Sequence, residues 1–500
     1  MKALRTISSL LIVNRGEIAI RIAKTAKRMG IKTYGLLTAQ DPNALYLERV
    51  DEIIDVSDDN MGKVFLNIER LISEALAHNI DAIHPGYGFL SENPEIAAAC
   101  HKNNILFIGP SAEIISLMGD KEAARHQAEH AQVPVLPASK TVITTPQEAI
   151  AAADEIGYPV IIKAVAGGGG KGMRIVKAEK ELERMYRIAS NEALSAFGNA
   201  NVFIEKYLEN PRHIEIQVLA DKHGNAISLY ERECSIQRKH QKLFEEAPSA
   251  FITEELRDKL SKDAVQLCHQ VKYDHIGTVE FLMDDHGQHY FMEMNTRIQV
   301  EHPVTESIIG IDLIEQQLLV AQGYALRLKQ EDIIINGWAM ELRINAEDVQ
   351  ANFSPDFGVI EKKEFPRYDF LRCDSGFEAG RVIPDCFDSL IAKLIIHGRN
   401  RKEVIEKVRQ VLAESTLSGV KNTLPFFKAL FNHPEFLAGD YNTSFIETKL
   451  NKPYHTEPEE ETAAIAIALH AYLNQVSAFN EEHLENKPIS TWKQVRQSTL

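Results

Sequence analysis

The chain of 500 residues has little cysteine: Cys100, Cys234, Cys268, Cys373 and Cys386 are scattered and odd in number. No CxxC pair occurs, which removes the usual support for a zinc site or a disulfide framework and fits a reducing compartment. Positive charge is also short. Against 71 acidic residues stand 55 Lys and Arg, and the formal net charge of −16 argues against a general nucleic-acid binder. A local basic pocket for an anion stays compatible with that balance. Long apolar runs are missing too. The run Leu10–Val13 is too short for a signal peptide or a membrane span, and Asn14-Arg-Gly-Glu17 follows it at once. The expectation is a soluble, cytoplasmic protein with no nucleic-acid or membrane partner. The first βαβ pattern lacks GxGxxG, and the later glycine loop has Gly172 where a P-loop needs a hydroxyl, so neither nucleotide fingerprint applies.

What is present is ordinary for a globular chain, 44% hydrophobic and 25% charged. The length leaves room for about two to four domains. Leu10–Val13 reads as a buried strand, followed by a helix with Ile18, Ile22 and Ala26 on one face, Gly30 as its stop, and a second strand over Ile31–Leu37. Ala82-Ile83 runs into His84-Pro-Gly-Tyr-Gly-Phe-Leu-Ser-Glu92, a loop at the strand end where open α/β sheets bind ligands. A further strand, Ile105–Gly109, precedes a helix start at Pro110-Ser111.

Lys163 sits at the end of an apolar strand, where a lysine ordinarily snorkels to water. The following Gly167-Gly-Gly-Gly-Lys-Gly-Met173 suggests another role. Glycines admit positive φ and close backbone approach, so successive N–H groups can face phosphate oxygens. Asn201–Leu208 is a strand whose end, Glu205-Lys206, either presents backbone to an adenine ring or is an ordinary edge. His213, Glu215 and Gln217 share one face of an alternating strand, with Ile214, Ile216 and Val218 on the core face. The charged run Glu231–Lys242 reads equally well as a solvated surface or as a site.

The densest stretch is Glu293-Met-Asn-Thr-Arg-Ile-Gln-Val-Glu-His-Pro303, after Tyr290-Phe291-Met292, which reads as a buried strand. Alternation sends Glu293 and Asn295 to one face, with Arg297, Gln299 and Glu301 in the same register as the chain leaves the strand. Glu280 lies in Gly277–Leu282, and a turn at Asp284-Asp-His-Gly287 brings it beside Glu293 as a hairpin. Glu280, Glu293 and Asn295 are hard oxygen ligands suited to Mg²⁺. Arg297 offers a fork for a small oxyanion, and Glu301 a general base beside it. A salt-bridged surface strand end is the plain alternative. Farther on, Ile308–Gln322 has a helical pattern, and Ala339–Asn345 reads as a strand with Glu341, Arg343 and Asn345 on one face. Strand and helix patterns over Asp388–Ile396 and Lys402–Leu412 suggest a compact β-rich lobe. Past Ile446 the chain turns polar and acidic, with Pro453 and Pro458, before an apolar helix over Thr462–Leu473.

In combination these motifs resemble the ATP-grasp family, and within it biotin carboxylase, over about residues 4–447. The markers are Asn14–Ala19, His84–Asn93, Gly167–Met173, Asn210–His213, Cys234–Lys242, Glu293–Glu306 and Arg343–Asp348. The resemblance implies an α/β fold: an amino-terminal doubly wound domain (1–118), an ATP-grasp core (119–331) with a mobile lid over about 135–207, and a β-rich carboxyl-terminal lobe (332–447). Residues 448–500 are expected to be a linker and accessory helix.

The same resemblance implies ATP-dependent carboxylation of biotin by bicarbonate through carboxyphosphate, with Mg²⁺ or Mn²⁺. By position, Lys121, Lys163, Gly168, Gly169, Gly170, Lys171, Gly172, Met173, Glu205, Lys206, Tyr207, Leu208, His213, Gln237 and His240 match ATP contacts. Glu280 and Glu293, with Asn295, match the metal ligands. Lys242, Arg297, Gln299, Val300 and Glu301 match the bicarbonate pocket, Arg343 the stabiliser of the biotin enolate, and Tyr87 a biotin neighbour. Family members carry biotin on a lysine in Met-Lys-Met, and the sole Met-Lys pair here is Met1-Lys2. Biotin is therefore expected on a separate carrier protein, with a separate carboxyltransferase subunit, and the family implies a homodimer. The acceptor, whether acetyl-CoA, propionyl-CoA or pyruvate, belongs to that transferase. The competing readings are another ATP-grasp carboxylate ligase and a non-catalytic nucleotide-sensing protein.

Overall fold

The computed structural model describes residues 4–58, 63–165 and 173–450, together with Ile465, residues 467–470 and Tyr472 in the tail. The expected glycine-loop residues Gly168, Gly169, Gly170, Lys171 and Gly172 lie outside the described residues.

The amino-terminal sheet is built from β1 (Ser9–Ile12), β2 (Lys32–Leu37), β3 (Glu52–Asp55), β4 (Ala82–His84) and β5 (Leu106–Phe107), in the order β3-β2-β1-β4-β5. All pairs are parallel. Parallel sheets need cover on both faces. Alternate residues of β1 supply it: Leu10 and Ile12 join the core on one side, Leu11 and Val13 the core on the other. The helix Gly16–Arg28 buries Ile18, Ile22 and Ala26, as its spacing predicts. It ends where Gly30 takes φ 74°, a left-handed value that glycine adopts without a Cβ penalty. The order reverses between β1 and β4. There the loop after β1 meets the loop after β4, and the side-chain amide of Asn14 donates to Pro85 O and Tyr87 O, both at 2.7 Å.

The expected lid has its own small sheet, β7-β6-β8, formed by β6 (Val160–Ala164), β7 (Arg174–Val176) and β8 (Val202–Lys206). Its core of Ile143, Val160, Ile162, Val176, Leu182, Val202 and Ile204 is separate from the other cores. β6 and β7 pair antiparallel, with Val160 facing Val176 and Ile162 facing Arg174.

The largest sheet starts with β9 (Arg212–Ala220), β10 (Ala226–Arg238), β11 (Gln241–Ala247), β12 (Ile276–Met283) and β13 (His289–Asn295). Later strands are β14 (Trp338–Asn345), β15 (Glu347–Asp348), β16 (Ser354–Pro355), β17 (Lys362–Glu364), β18 (Leu371–Ser375), β19 (Leu390–Gly398) and β20 (Thr416–Ser418). The order β13-β12-β9-β10-β11-β14-β19-β18 is one continuous eight-stranded sheet. Strands expected in a separate carboxyl-terminal lobe therefore complete the sheet begun by the ATP-grasp strands. On one face Ile214, Ile216 and Val218 pack with Leu260, Ala264 and Leu267 of the helix Glu254–Gln270. The opposite, polar face is covered by the helix His302–Ile309, which packs on β10, β11 and β14.

Four local readings differ from the structure. Within Tyr290-Phe291-Met292 only Phe291 is buried, and Met292 is 38% exposed, because the pairing with β12 is irregular there: Glu293 faces Glu280 and Phe291 faces Phe281, which leaves Met292 as the extra residue. β13 ends at Asn295, so Arg297, Gln299 and Glu301 come from a turn rather than from continued strand register. The single helix expected over 308–322 is two, His302–Ile309 and Leu313–Ala321, parted by Gly310 at φ 70°. Finally, the run from Glu231 is no solvated face: Glu231, Arg232 and Glu233 are all buried in β10.

Residues Met1–Asn451 form one compact unit and Lys452–Leu500 another. In the second, the described residues are helical, with Ile465, Ile467, Leu469 and Tyr472 exposed. The i, i+4 spacing in the sequence puts Ile465, Leu469 and Leu473 on one helix face, and Leu473 lies outside the described residues.

Candidate active site

Four adjacent strands bring one row of charges into register. Glu293 on β13 faces Glu280 on β12, Glu280 faces Glu215 on β9, and Glu215 faces Arg232 on β10. Asn295, Thr278 and Gln217 form the next row on the same strands. Three carboxylates side by side repel one another unless cations intervene. Lys242 on β11 intervenes: its ammonium pairs with Glu215 and reaches Glu280 Oε1 at 3.1 Å and Glu301 Oε1 at 2.9 Å. His213 adds a second cation, 2.9 Å from Glu280 Oε2. Burial disfavours its charge, but Glu280 and Glu215 outweigh burial and raise its pKa to about 9.

Arg232 is fully buried (0% exposed side chain). It donates to Glu215 at 3.2 Å, Gln217 at 2.8 Å, Thr305 at 3.0 Å and Thr278 at 3.2 Å, and also to the amide oxygen of Gln299. A guanidinium only donates, so this last contact fixes the orientation of the Gln299 amide. Its NH₂ is left facing Glu280 Oε1, to which it donates at 2.7 Å.

Glu301 begins the helix His302–Ile309 and is 2% exposed. One oxygen receives Lys242, and the other receives Arg343 Nη2 at 2.9 Å. Burial opposes its ionisation, but Lys242 and Arg343 prevail and hold its pKa below the usual carboxylate value. Arg343, on β14, also pairs with the buried Glu245. Burial raises the Glu245 carboxyl to about 7 despite that arginine, with Glu301 adding to the rise. Arg297 does not pair with Glu301 through a hydrogen bond. It donates instead to Glu92 Oε2 at 2.9 Å and Asn295 Oδ1 at 2.7 Å, so it reaches the pocket from the side of the loop after β4.

The donors of Glu280, Glu293 and Asn295 suit a hard divalent cation. Asn295 Nδ2 lies 2.7 Å from Glu280 Oε1, so the side chains meet. Burial raises the Glu293 pKa, and the neighbouring Glu280 charge raises it further. A divalent cation held between them would relieve that mutual repulsion.

The residues matched to nucleotide contacts are spread around this row. Lys121, on the helix Lys121–His130, acts electrostatically on Glu293. Lys163 pairs with Glu205 across β6 and β8. The Lys206 ammonium is taken by Gly157 O and Tyr158 O, each at 2.9 Å, and the backbone amide of Tyr207 donates to Pro159 O at 3.1 Å. Gln237 faces Lys242 across β10 and β11, and His240, at φ 64°, lies in the turn between those strands. Met173 and Leu208 flank the lid strands and are half-buried. Tyr87 donates its hydroxyl to Glu17. Its loop is pinned through Gly86, at φ 64°, where a Cβ would lie 2.8 Å from Asn14 Nδ2.

Sequence reasoning assigned no role to Arg232, Glu245, Glu92 or Lys393. For Arg232 the signal was present: three charges in a row inside a strand-like segment must send at least one inward.

A nucleotide-binding enzyme of the ATP-grasp class is defined by this fold and this row of carboxylates and cations. Residues 120–329 match the family model of the carbamoyl-phosphate synthase L chain ATP-binding domain, residues 6–115 that of the biotin carboxylase N-terminal domain, and residues 341–448 that of its C-terminal domain. The chain is 48% identical over 443 residues to biotin carboxylase 1 of Bacillus subtilis, covering 88% of this chain and 98% of that one. It is 47% identical over 443 residues to the biotin carboxylase of a Nostoc species, covering 89% and 99%. Among solved structures it resembles the biotin carboxylase domain of Hydrogenobacter thermophilus 2-oxoglutarate carboxylase, with TM-score 0.83 and 43% identity, over 89% of this chain and 98% of that one. That structure is a domain dimer in complex with MgADP, ADP and bicarbonate. The chain belongs to the biotin carboxylase family.

Proposed function

We propose that the chain catalyses the first half-reaction of a biotin-dependent carboxylase: ATP-dependent carboxylation, by bicarbonate, of biotin held on a separate carrier protein. The observation that carries this reading is the flanking of one buried carboxylate, Glu301, by Lys242 and Arg343, beside the Glu280–Glu293 pair. The donors Lys242, Arg297 and Gln299 around that carboxylate suit a very small anion.

Glu280, Glu293 and Asn295 would hold Mg²⁺ or Mn²⁺, which neutralises charge on the phosphates of ATP when bound. Lys121, Lys163, the glycine loop with Met173, Glu205–Leu208, His213, Gln237 and His240 would bind the nucleotide. Lys242, Arg297, Gln299 and Val300 hold bicarbonate. Glu301 takes its proton as a bicarbonate oxygen attacks the γ-phosphorus, giving carboxyphosphate and ADP. Breakdown of carboxyphosphate supplies CO₂, and the phosphate released removes the proton from biotin N1. Arg343, relieved of part of its pairing once Glu301 is protonated, stabilises the biotin enolate, with Tyr87 beside the ring. The lid excludes water from the labile intermediate.

The expected result is labelled bicarbonate fixed onto biotin in the presence of ATP and Mg²⁺. Chelation with EDTA should abolish it, and either Mg²⁺ or Mn²⁺ should restore it. Absence of bicarbonate-dependent ATP turnover with metal present would sink the reading.

A homodimer, a carrier protein and a carboxyltransferase partner go with this function. So does a cytoplasmic location, in keeping with five unpaired cysteines and no helix, among the described residues, long and apolar enough to cross a membrane. The functional division is 1–118, 119–331, 332–447 and 448–500, with the tail an accessory interaction element. Residues up to Asn451 already form a compact unit. Truncation after Thr448 is therefore expected to leave the fold and ATP turnover intact and to alter assembly, read by circular dichroism, turnover and light scattering. Loss of folding would make the tail part of the core.

A further inference from the structure

The mechanism makes no use of the buried Lys393. Lys393, on β19, has a side chain that is 0% exposed. Its ammonium donates to Val300 O at 2.7 Å and pairs with Glu17 Oε1 at 2.9 Å. That carbonyl belongs to the peptide joining Val300 to Glu301, so the contact fixes the backbone from which the base projects. Glu17, buried in the first turn of the helix Gly16–Arg28, accepts in turn from the Tyr87 hydroxyl. Lys393 also lies directly across from Arg343 in the sheet.

A single polar chain, Val300–Lys393–Glu17–Tyr87, thus joins the loop that carries the base to the loop expected at biotin. The parts it joins are remote in sequence. Burying an ammonium and a carboxylate costs more than burying apolar groups of the same shape, so stability alone is a poor reason for the pair. Burial disfavours the Lys393 charge, but Glu17, with Asp374 nearby, outweighs burial and keeps it charged.

We infer that Lys393 and Glu17 are positioning residues that set Tyr87 and the Glu301 backbone relative to each other, so that the biotin-facing and bicarbonate-facing sides of the site are built as one unit. The inference rests on the biotin carboxylase reading above.

The test uses the full chain and its Glu17→Met, Tyr87→Phe, Glu17→Met/Tyr87→Phe and Lys393→Met variants. Each is assayed for fixation of labelled bicarbonate onto free biotin, for bicarbonate-dependent ATP turnover and for melting temperature. Glu17→Met, which removes the acceptor shared by Tyr87 and Lys393, is expected to raise the KM for biotin about tenfold, a larger change than its loss of ATP turnover. Tyr87→Phe should do the same, and the double variant should be little worse than either alone. Lys393→Met should lower ATP turnover as well as biotin use, since it also releases Val300. If that variant fails to fold, the Glu17–Tyr87 cycle still decides. Additive losses in the cycle, or biotin use and ATP turnover falling together with melting temperature, assign the pair to stability and overturn the inference. An inactive parent overturns the underlying reading, and the inference with it.

Discussion

Replacing Glu301 with glutamine is expected to lower biotin carboxylation by about 10²- to 10⁴-fold, the usual cost of removing a general base. Glutamine keeps the volume but cannot take a proton. It also meets two donors, Lys242 Nζ and Arg343 Nη2, each 2.9 Å from a different carboxylate oxygen. One of them would face the amide NH₂, so at least one contact is lost. ATP binding should change little, because Glu280 and Glu293 are untouched. The same ion pairs give the variant a pH-dependent stability. The folded pKa of Glu301 lies below the ordinary 4.5, so its ion pairs stabilise the fold above pH 4.5 and lose that contribution as pH falls through the folded value. Glu301→Gln should therefore lower the melting temperature at neutral pH and converge on the parent in acid. Single-turnover fixation of labelled bicarbonate, with melting curves across pH, checks both. Retention of carboxylation within a few fold at saturating bicarbonate would remove Glu301 from the proton step. A parallel loss of ATP affinity would make it a structural carboxylate.

Much of this site was legible because its chemistry sits on strands, where a period of two assigns faces without knowledge of the fold. The pairing of Glu280 with Glu293 followed from one hairpin turn, and the facing of His213, Glu215 and Gln217 from one alternation. The doubly wound domain was legible for the same reason: the helix Gly16–Arg28 and its flanking strands carry clean periodicity and a glycine stop. What escaped depended on contacts between distant segments. Arg297 read as a fork beside Glu301, and nothing local showed that Glu92, about two hundred residues earlier, accepts from its Nε. The charged run at 231–242 looked equally able to face water, because local pattern cannot report that the helix His302–Ile309 covers that face. Lys393 is one position of the pattern over Asp388–Ile396, and its partners Glu17 and Val300 come from two other regions. The continuity of β11 with β14 was invisible too, since pairing across nearly a hundred residues leaves no local mark.

Arg232→Met is expected to destabilise the protein by about 3–5 kcal/mol, the range for breaking a buried ion pair by removing one partner. Methionine fills much of the space but leaves the Glu215 carboxylate with less compensation inside the sheet. Burial alone would raise the Glu215 pKa. Lys242, His213 and Arg232 together bring it down to about 2, so the carboxylate is charged at any working pH. The loss also frees the Gln299 amide, whose orientation toward Glu280 Arg232 sets, so activity should fall with stability. Adding Glu215→Gln should restore part of the stability, because it removes the uncompensated charge while Lys242 keeps Glu280 and Glu301. On its own, Glu215→Gln should cost less than Arg232→Met, since Arg232 would retain Gln217, Thr278, Gln299 and Thr305 as acceptors. Denaturant titration of the parent, both single variants and the double gives the coupling between the two sites. A double variant more stable than Arg232→Met identifies unpaired charge as the source of the loss. Simple additivity would instead trace it to the cavity and the missing neutral hydrogen bonds, and an unchanged parent-like stability in Arg232→Met would mean that the row of carboxylates is held by Lys242 and His213 alone.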